Sequence, residues 1–171
     1  SQGSKTPAEW NITKYLHYGR NSVSLRVFRW SDGSYLECQD FWRISGIERD
    51  VFLYSTPNVR IKDFFVHTRL DQKFSRGLFS VDVEVENHME KLNGPYTLNM
   101  MLLDHRGSEK AKEERVLSVL NDKNLKRFTR VRFEKKIGNP KLWSAETPYL
   151  YTLVLSISGR DAKTAMVTSC N

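Results

Sequence analysis

The chain has 171 residues and only two cysteines, Cys38 and Cys170. That excludes a disulfide framework and a thiolate-rich zinc site, leaving room for one bridge at most. The four histidines, His17, His67, His88 and His105, show neither HxH nor HExxH spacing, so a metal centre built from them is not expected. Glycine-rich phosphate loops are also missing, since "SDGS" and "SRG" are ordinary turn tripeptides. There is no Gly-x-Ser-x-Gly elbow, and neither cysteine has a histidine beside it in the sequence. Apolar runs stay far short of the ~20 residues that cross a bilayer, so no membrane partner is expected. The opening "SQGSKTPAEW" has no initiating Met and no charged-then-apolar leader. We expect the chain to be an internal portion of a longer protein, and its compartment stays unassigned.

Hydrophobic residues make up 39% and aromatics 12%, enough for a folded core. The formal charge is +7 and the pI about 9.5, a balance that raises the question of nucleic acid. The densest basic cluster, "KNLKRFTRVRFEKK" (residues 123–136), answers it. Val131, Phe133 and Lys135 alternate there with Arg130, Arg132 and Glu134, which is a strand with one solvated face. No nucleic-acid partner is expected.

Period two runs through almost every patterned segment. In "SVSLRVFRW", Val23, Leu25 and Val27 share a face, and "VFLY" (51–54) is a short apolar strand. After Pro57 come seven candidates: "VRIKDFFVHTRL", "GLFSVDVEVEN", "YTLNMMLLD", "RVLSVL", "RFTRVRFEKKI", "YLYTLVLSISG" and "TAMVTSC". The second places Phe79, Val81, Val83 and Val85 inward. Helix signals are weak: a turn or short helix after Thr6, with Pro7 at its first position, and the ambiguous "SEKAKEERVLSVL", read as a polar hairpin loop entering a strand. Seven strands separated by turns predict an immunoglobulin-like sandwich over residues 57–171. Residues 1–56 hold too few strands for a core of their own and read as the incomplete end of another domain. The fold class is all-β.

Chemistry concentrates in "RWSDGSYLECQDFWRISGIERDVFLY" (29–54). Asp32, Glu37, Asp40, Glu48 and Asp50 lie among Trp30, Tyr35, Phe41 and Trp42, with Arg29, Arg43 and Arg49 as candidate partners. Rings beside carboxylates suit a sugar platform. The same residues also suit Arg–carboxylate pairs that pin a long loop onto the next domain, and composition alone favours that reading. Elsewhere, acids such as Glu84, Glu86, Glu113 and Glu114 fall on outward strand positions or polar loops and read as solvated.

This stretch resembles the end of the sugar-binding jelly-roll domain of bacterial β-galactosidases of glycoside hydrolase family 2. The upstream "QGSKTPAEWNITKYLHYGRNSVSLRVFRW" resembles the segment before it, including a Gly-x-Asn hairpin. "NPKLWSAETPYLYTLVLSI" (139–157) resembles late strands of the immunoglobulin-like second domain. The resemblance implies a jelly-roll segment over 1–56 and an immunoglobulin-like domain over 57–171. It also implies a parent that hydrolyses terminal β-D-galactosyl residues with retention, through two glutamates on a (β/α)8 barrel. The barrel's histidine-tyrosine-proline signature does not occur in these 171 residues, so the segment is expected to be inactive alone. Asp40, in "QDFWR", is implied to touch both the galactosyl group and a sodium ion, with magnesium a second ion of the parent. The usual "EDQD" reads "ECQD" here, with Cys38 in place of the first aspartate. Partners implied are the barrel of the same chain and a β-galactoside, in a bacterial cytoplasm or periplasm. The alternatives are an autonomous carbohydrate-binding module and a family relative acting on β-glucuronides or β-mannosides. The half-covered face at Val23, Leu25 and Val27 implies that the fragment either self-associates or leaves residues 1–56 partly mobile.

Overall fold

The computed structural model describes residues 6–36, 45–89, 95–117, 128–159 and 164–170, the last as backbone only. Two compact units form, Ser1–Tyr54 and Ser55–Asn171.

In the first unit the described residues make local turns and no β ladder. Asn11 accepts the Thr13 N–H through its side chain at 3.0 Å and opens a single 3-10 turn, Thr13–Tyr15. The Gly-x-Asn hairpin has a clear physical basis. Gly19 takes φ +90, and the Asn21 amide bridges the turn, accepting the His17 N–H and donating to the His17 and Gly19 carbonyls. One helical turn, Gly33–Leu36, follows. The strands expected at 23–28 and 51–54 are absent as ladder strands, and their apolar side chains are exposed. Alternation creates a face that needs cover, but a strand also needs a hydrogen-bonding neighbour.

The second unit contains β1 (Val59–Leu70), β2 (Arg76–Asn87), β3 (Tyr96–Leu103), β4 (Glu109–Leu117), β5 (Phe128–Gly138), β6 (Thr152–Ser158) and β7 (Thr164–Cys170). They pair antiparallel in two sheets, β1-β2-β5 and β4-β3-β6-β7. Period two puts Phe79, Val81, Val83, Val85 and Phe133 of one sheet against Leu98, Met100, Leu153, Leu155 and Ile157 of the other, in one buried cluster. The result is an immunoglobulin-like sandwich in which β4 pairs with β3 on the four-stranded sheet.

Two details depart from the sequence reading. The segment at 109–114 is not a loop: β4 begins at Glu109. It is an edge strand, where alternating charge is tolerated because it discourages pairing with other chains. Glu113 on β4 reaches Lys135 on β5 at 2.8 Å, so one ion pair ties an edge of each sheet together. In β1, Lys62 is an extra residue between Ile61 and Asp63, whose partners are Val85 and Glu84. This bulge reverses the parity: Val59 and Ile61 are buried before it, and Phe64 and Val66 pack on the core after it.

Candidate functional site

Asp40 lies outside the described residues, as do Glu37, Cys38, Phe41, Trp42 and Arg43. Its flanks are described. On one side Ser31 and Ser34 hold the helical turn, the Ser31 N–H donating to the Ser34 hydroxyl and the Ser34 N–H to the Ser31 carbonyl, both at 2.9 Å. The Arg29 guanidinium lies 5.8 Å from the Trp30 ring centroid. On the other side Gly46 turns the chain at φ +124. Phe52 and Tyr54 stack at 6.0 Å, and the Tyr54 hydroxyl donates to Glu9. Trp30 and Tyr35 are exposed. Among the described residues, Arg29 and Arg49 form no ion pair with Asp32, Glu48 or Asp50. Exposed charges lose little by staying solvated, so proximity in sequence alone does not pair them.

On the sandwich, the outer face of β1-β2-β5 is a paired polar surface. Arg132 reaches Ser80 at 3.1 Å, Asp82 at 3.4 Å and Glu134 at 2.9 Å, and Asp82 also meets His67 Nε2 at 3.1 Å. Phe65 lies over His67 with centroids 4.7 Å apart, exposed because the bulge turned it outward. An open depression of about 240 Å³ is lined there by Asp63, Phe64, Phe65, Asp82, Glu84 and Arg130. Arg60 bonds Glu86 through two nitrogens at 2.8 Å, and His88 meets the same carboxylate at 3.0 Å.

At one end of the sandwich, aromatic rings and tight turns meet. His105 Nδ1 is 2.8 Å from the Tyr149 hydroxyl, with the rings edge to face. Tyr149 in turn packs on Tyr151 at 5.2 Å. The Tyr151 hydroxyl accepts the Lys141 N–H at 3.0 Å. Two hairpin turns share this end. In the first, Asp71 accepts the N–H groups of Ser75 and Arg76; in the second, Asp104 accepts those of Arg106 and Ser108. Lys110, at 3.0 Å, and these backbone bonds hold the Asp104 carboxyl at about 2, well below the usual carboxylate range.

Four other carboxyls shift downward as well: Glu86, Asp71, Glu113 and Glu146. Burial pushes Glu86 up, but the hydrogen bonds and charges of Arg60 and His88 outweigh it. For Asp71 burial likewise opposes, and the backbone donors win. The Lys135 hydrogen bond lowers Glu113, and a backbone hydrogen bond lowers Glu146. A proton donor at neutral pH needs a raised carboxyl, and these acids are held as anions. Among the described residues, no group of three His, Cys, Asp or Glu could hold a metal ion.

The bulge and the aromatic end were missed by pattern reading. The phase change from Val59 and Ile61 to Phe64 and Val66 signals the first. The second had a weaker sign: Leu142 and Trp143 in a segment otherwise written in turn residues.

An all-β chain whose second unit is an immunoglobulin-like sandwich is the class these features define. Residues 59–170 match the model of the glycosyl hydrolases family 2, and residues 1–57 that family's sugar binding domain. The chain belongs to glycosyl hydrolase family 2. It is similar to a β-galactosidase of Priestia megaterium (42% identical over 99% of this chain) and one of Vibrio cholerae serotype O1 (37% over 94%). It spans only 16% of the length of each of these relatives. Among solved structures, a family 2 member from Bacteroides cellulosilyticus shares the fold, with a TM-score of 0.57 over 67% of this chain and 15% of that one, at 23% identity.

Proposed function

We propose that this chain is the non-catalytic portion of a β-galactosidase that cleaves terminal β-D-galactosyl residues with retention. The observation that carries the reading is the β-galactosidase likeness running through 99% of the chain at 42% identity. In this proposal the two glutamates sit on a barrel of the parent, residues 1–56 and 57–171 are separate β domains that brace it, and Asp40 reaches the galactosyl group.

A hard cation takes about six oxygen ligands, and a single carboxylate supplies two of them at most. We therefore propose Asp40 as one ligand among several, the rest belonging to the barrel, with magnesium a second ion of the parent. The test is the full-length gene product assayed with nitrophenyl β-galactoside, β-glucuronide and β-mannoside. Preference for the galactoside is expected, and preference for another glycoside would reassign the parent within the family. Asp40→Ala in that protein should lower kcat/KM by ~10–100-fold, the loss of a hydrogen bond to a charged group. An unchanged value would remove Asp40 from the site.

The exposed rings of Trp30 and Tyr35 favour a second reading, an autonomous carbohydrate-binding module. Calorimetry of the 171-residue chain with galactose and lactose decides it: millimolar or tighter binding would establish the module.

A further inference from the structure

The two hairpin turns at the aromatic end are the same turn built twice. Each begins with an aspartate, Asp71 or Asp104, whose carbonyl accepts the N–H three residues on, from Phe74 at 3.0 Å and Gly107 at 2.8 Å. In each, the carboxylate accepts the N–H of a serine at the fourth position, Ser75 at 2.8 Å or Ser108 at 2.9 Å. In each, the residue before that serine is left-handed, Phe74 at φ +54 and Gly107 at φ +79. Glycine is the residue such a position favours. One turn has it; the other carries a phenylalanine, 68% exposed. An aromatic held in a disfavoured conformation and given to solvent gains nothing for its own turn.

Phe74 has company. The Asn139 N–H donates to the Ser75 carbonyl at 2.9 Å, which ties the segment from residue 139 to 151 to this turn. Gly77 admits Pro140 so closely that a Cβ would meet its ring at 3.3 Å. From that tied segment Leu142, Trp143 and Leu150 also face solvent, Trp143 by 62%. Lys141 to Tyr151 closes the segment on itself, and Tyr149 to His105 fixes it to the second turn. The apolar side chains are thus set on a stitched, preorganised base, which lowers the entropy cost of docking. β7 pairs Cys170 with Leu153, next to the start of β6 at this same end. Any polypeptide that continues past residue 171 begins here.

We propose that this end of the sandwich, with Phe74, Leu142, Trp143 and Leu150, is the surface on which the catalytic barrel of the same polypeptide docks. The proposal rests on the family 2 parent inferred above, and the relatives are about six times as long as this chain, which covers 16% of each. Exposed apolar patches of this kind mark interaction sites, and aromatic anchors carry a large share of interface energy. The paired, charged outer face of β1-β2-β5 is the competing surface, and Phe65 reports on it.

Hydroxyl-radical footprinting of the 171-residue chain and of the full-length gene product tests this. Phe74 and Trp143 should lose most of their reactivity in the longer protein, because interface anchors are desolvated, while Phe65 keeps its own. Equal reactivity of Phe74 and Trp143 in both proteins would overturn the proposal, as would protection of Phe65 instead. Protection that grows with concentration in the 171-residue chain would assign the surface to a second copy and also overturn it. The parallel glycosidase assay separates the two claims: a galactosidase with Trp143 exposed refutes the docking surface alone. A protected Trp143 in an enzyme of another specificity refutes only the substrate. Phe74→Gly keeps the turn and removes the anchor, so in the full-length protein it should raise Trp143 reactivity without unfolding the sandwich. No change there would count against Phe74 as an anchor.

Discussion

Two period-two triads in this chain look alike and end differently. Val81, Val83 and Val85 are fully buried, while Val23, Leu25 and Val27 are all largely exposed. Both alternate with polar residues, and both put apolar groups on one face. The difference is the neighbour. β2 has β1 on one side, β5 on the other and a second sheet across the core. Residues 23–28 have no ladder partner among the described residues. Alternation therefore specifies a face and leaves its cover to the rest of the fold.

Putting the same substitution into both triads tests that difference most severely. Val83→Asp would place an unpaired charge in the core and cost about 3–5 kcal/mol, a large part of a typical domain's stability. Val27→Asp should change the unfolding free energy of the 171-residue chain by less than ~0.5 kcal/mol, as exposed sites do. Urea denaturation of both variants checks it. A large loss for Val27→Asp would mean that the 23–27 face is covered in solution. Self-association would be such a cover, and sedimentation would detect it.

What could be read from the sequence follows the same division. Six of the seven strands after Pro57 were legible because each repeats apolar residues at period two between turns, and β2 is the clearest, with Phe79, Val81, Val83 and Val85 all buried. β4 was half legible. "EKAKEER" is rich in helix formers, and only its place at a sheet edge makes a charged strand favourable. The bulge at Lys62 left a phase shift in the sequence, but its consequence, Phe65 in solvent over His67, needed the register with β2. The site was least legible. Asp40 follows from resemblance and lies outside the described residues, whereas the exposed Phe74 depends on a backbone angle that no pattern records.

The two hairpin turns sharpen the comparison within the sandwich itself. A left-handed non-glycine residue costs about 1–2 kcal/mol, part of which glycine returns through its greater unfolded freedom. Phe74→Gly should therefore stabilise the 171-residue chain by ~0.5–1 kcal/mol. Gly107→Ala should lose about as much, since its Cβ would meet nothing within 4 Å and backbone strain is the only cost. Opposite signs from reciprocal changes, measured by thermal unfolding, would show that the turns are equivalent and that Phe74 is an apolar residue the sandwich does not use. A loss for Phe74→Gly would place Phe74 with the buried triad instead, as a residue that stabilises its own unit.

The smallest expected effect concerns the carboxylates that build these turns. The Asp104 carboxyl lies at about 2 in the folded chain, against an ordinary 3.8. A group depressed on folding contributes stability that is complete above its unfolded pKa and lost as pH falls through the folded one. Asp104 should thus contribute fully above about pH 5, with its contribution fading toward pH 2. Asp71 is lowered as well, so acid weakens both turns in the same direction. Comparing Tm from pH 6 to pH 2.5 for the chain and for Asp104→Asn isolates one of them. The variant should start lower at pH 6 and fall less on acidification, because it has no carboxyl to protonate. Parallel curves would mean that Lys110 and the backbone donors hold the turn equally well against a neutral side chain. The acid sensitivity of the sandwich would then belong to Glu86 and Glu113, the carboxylates paired beside its core.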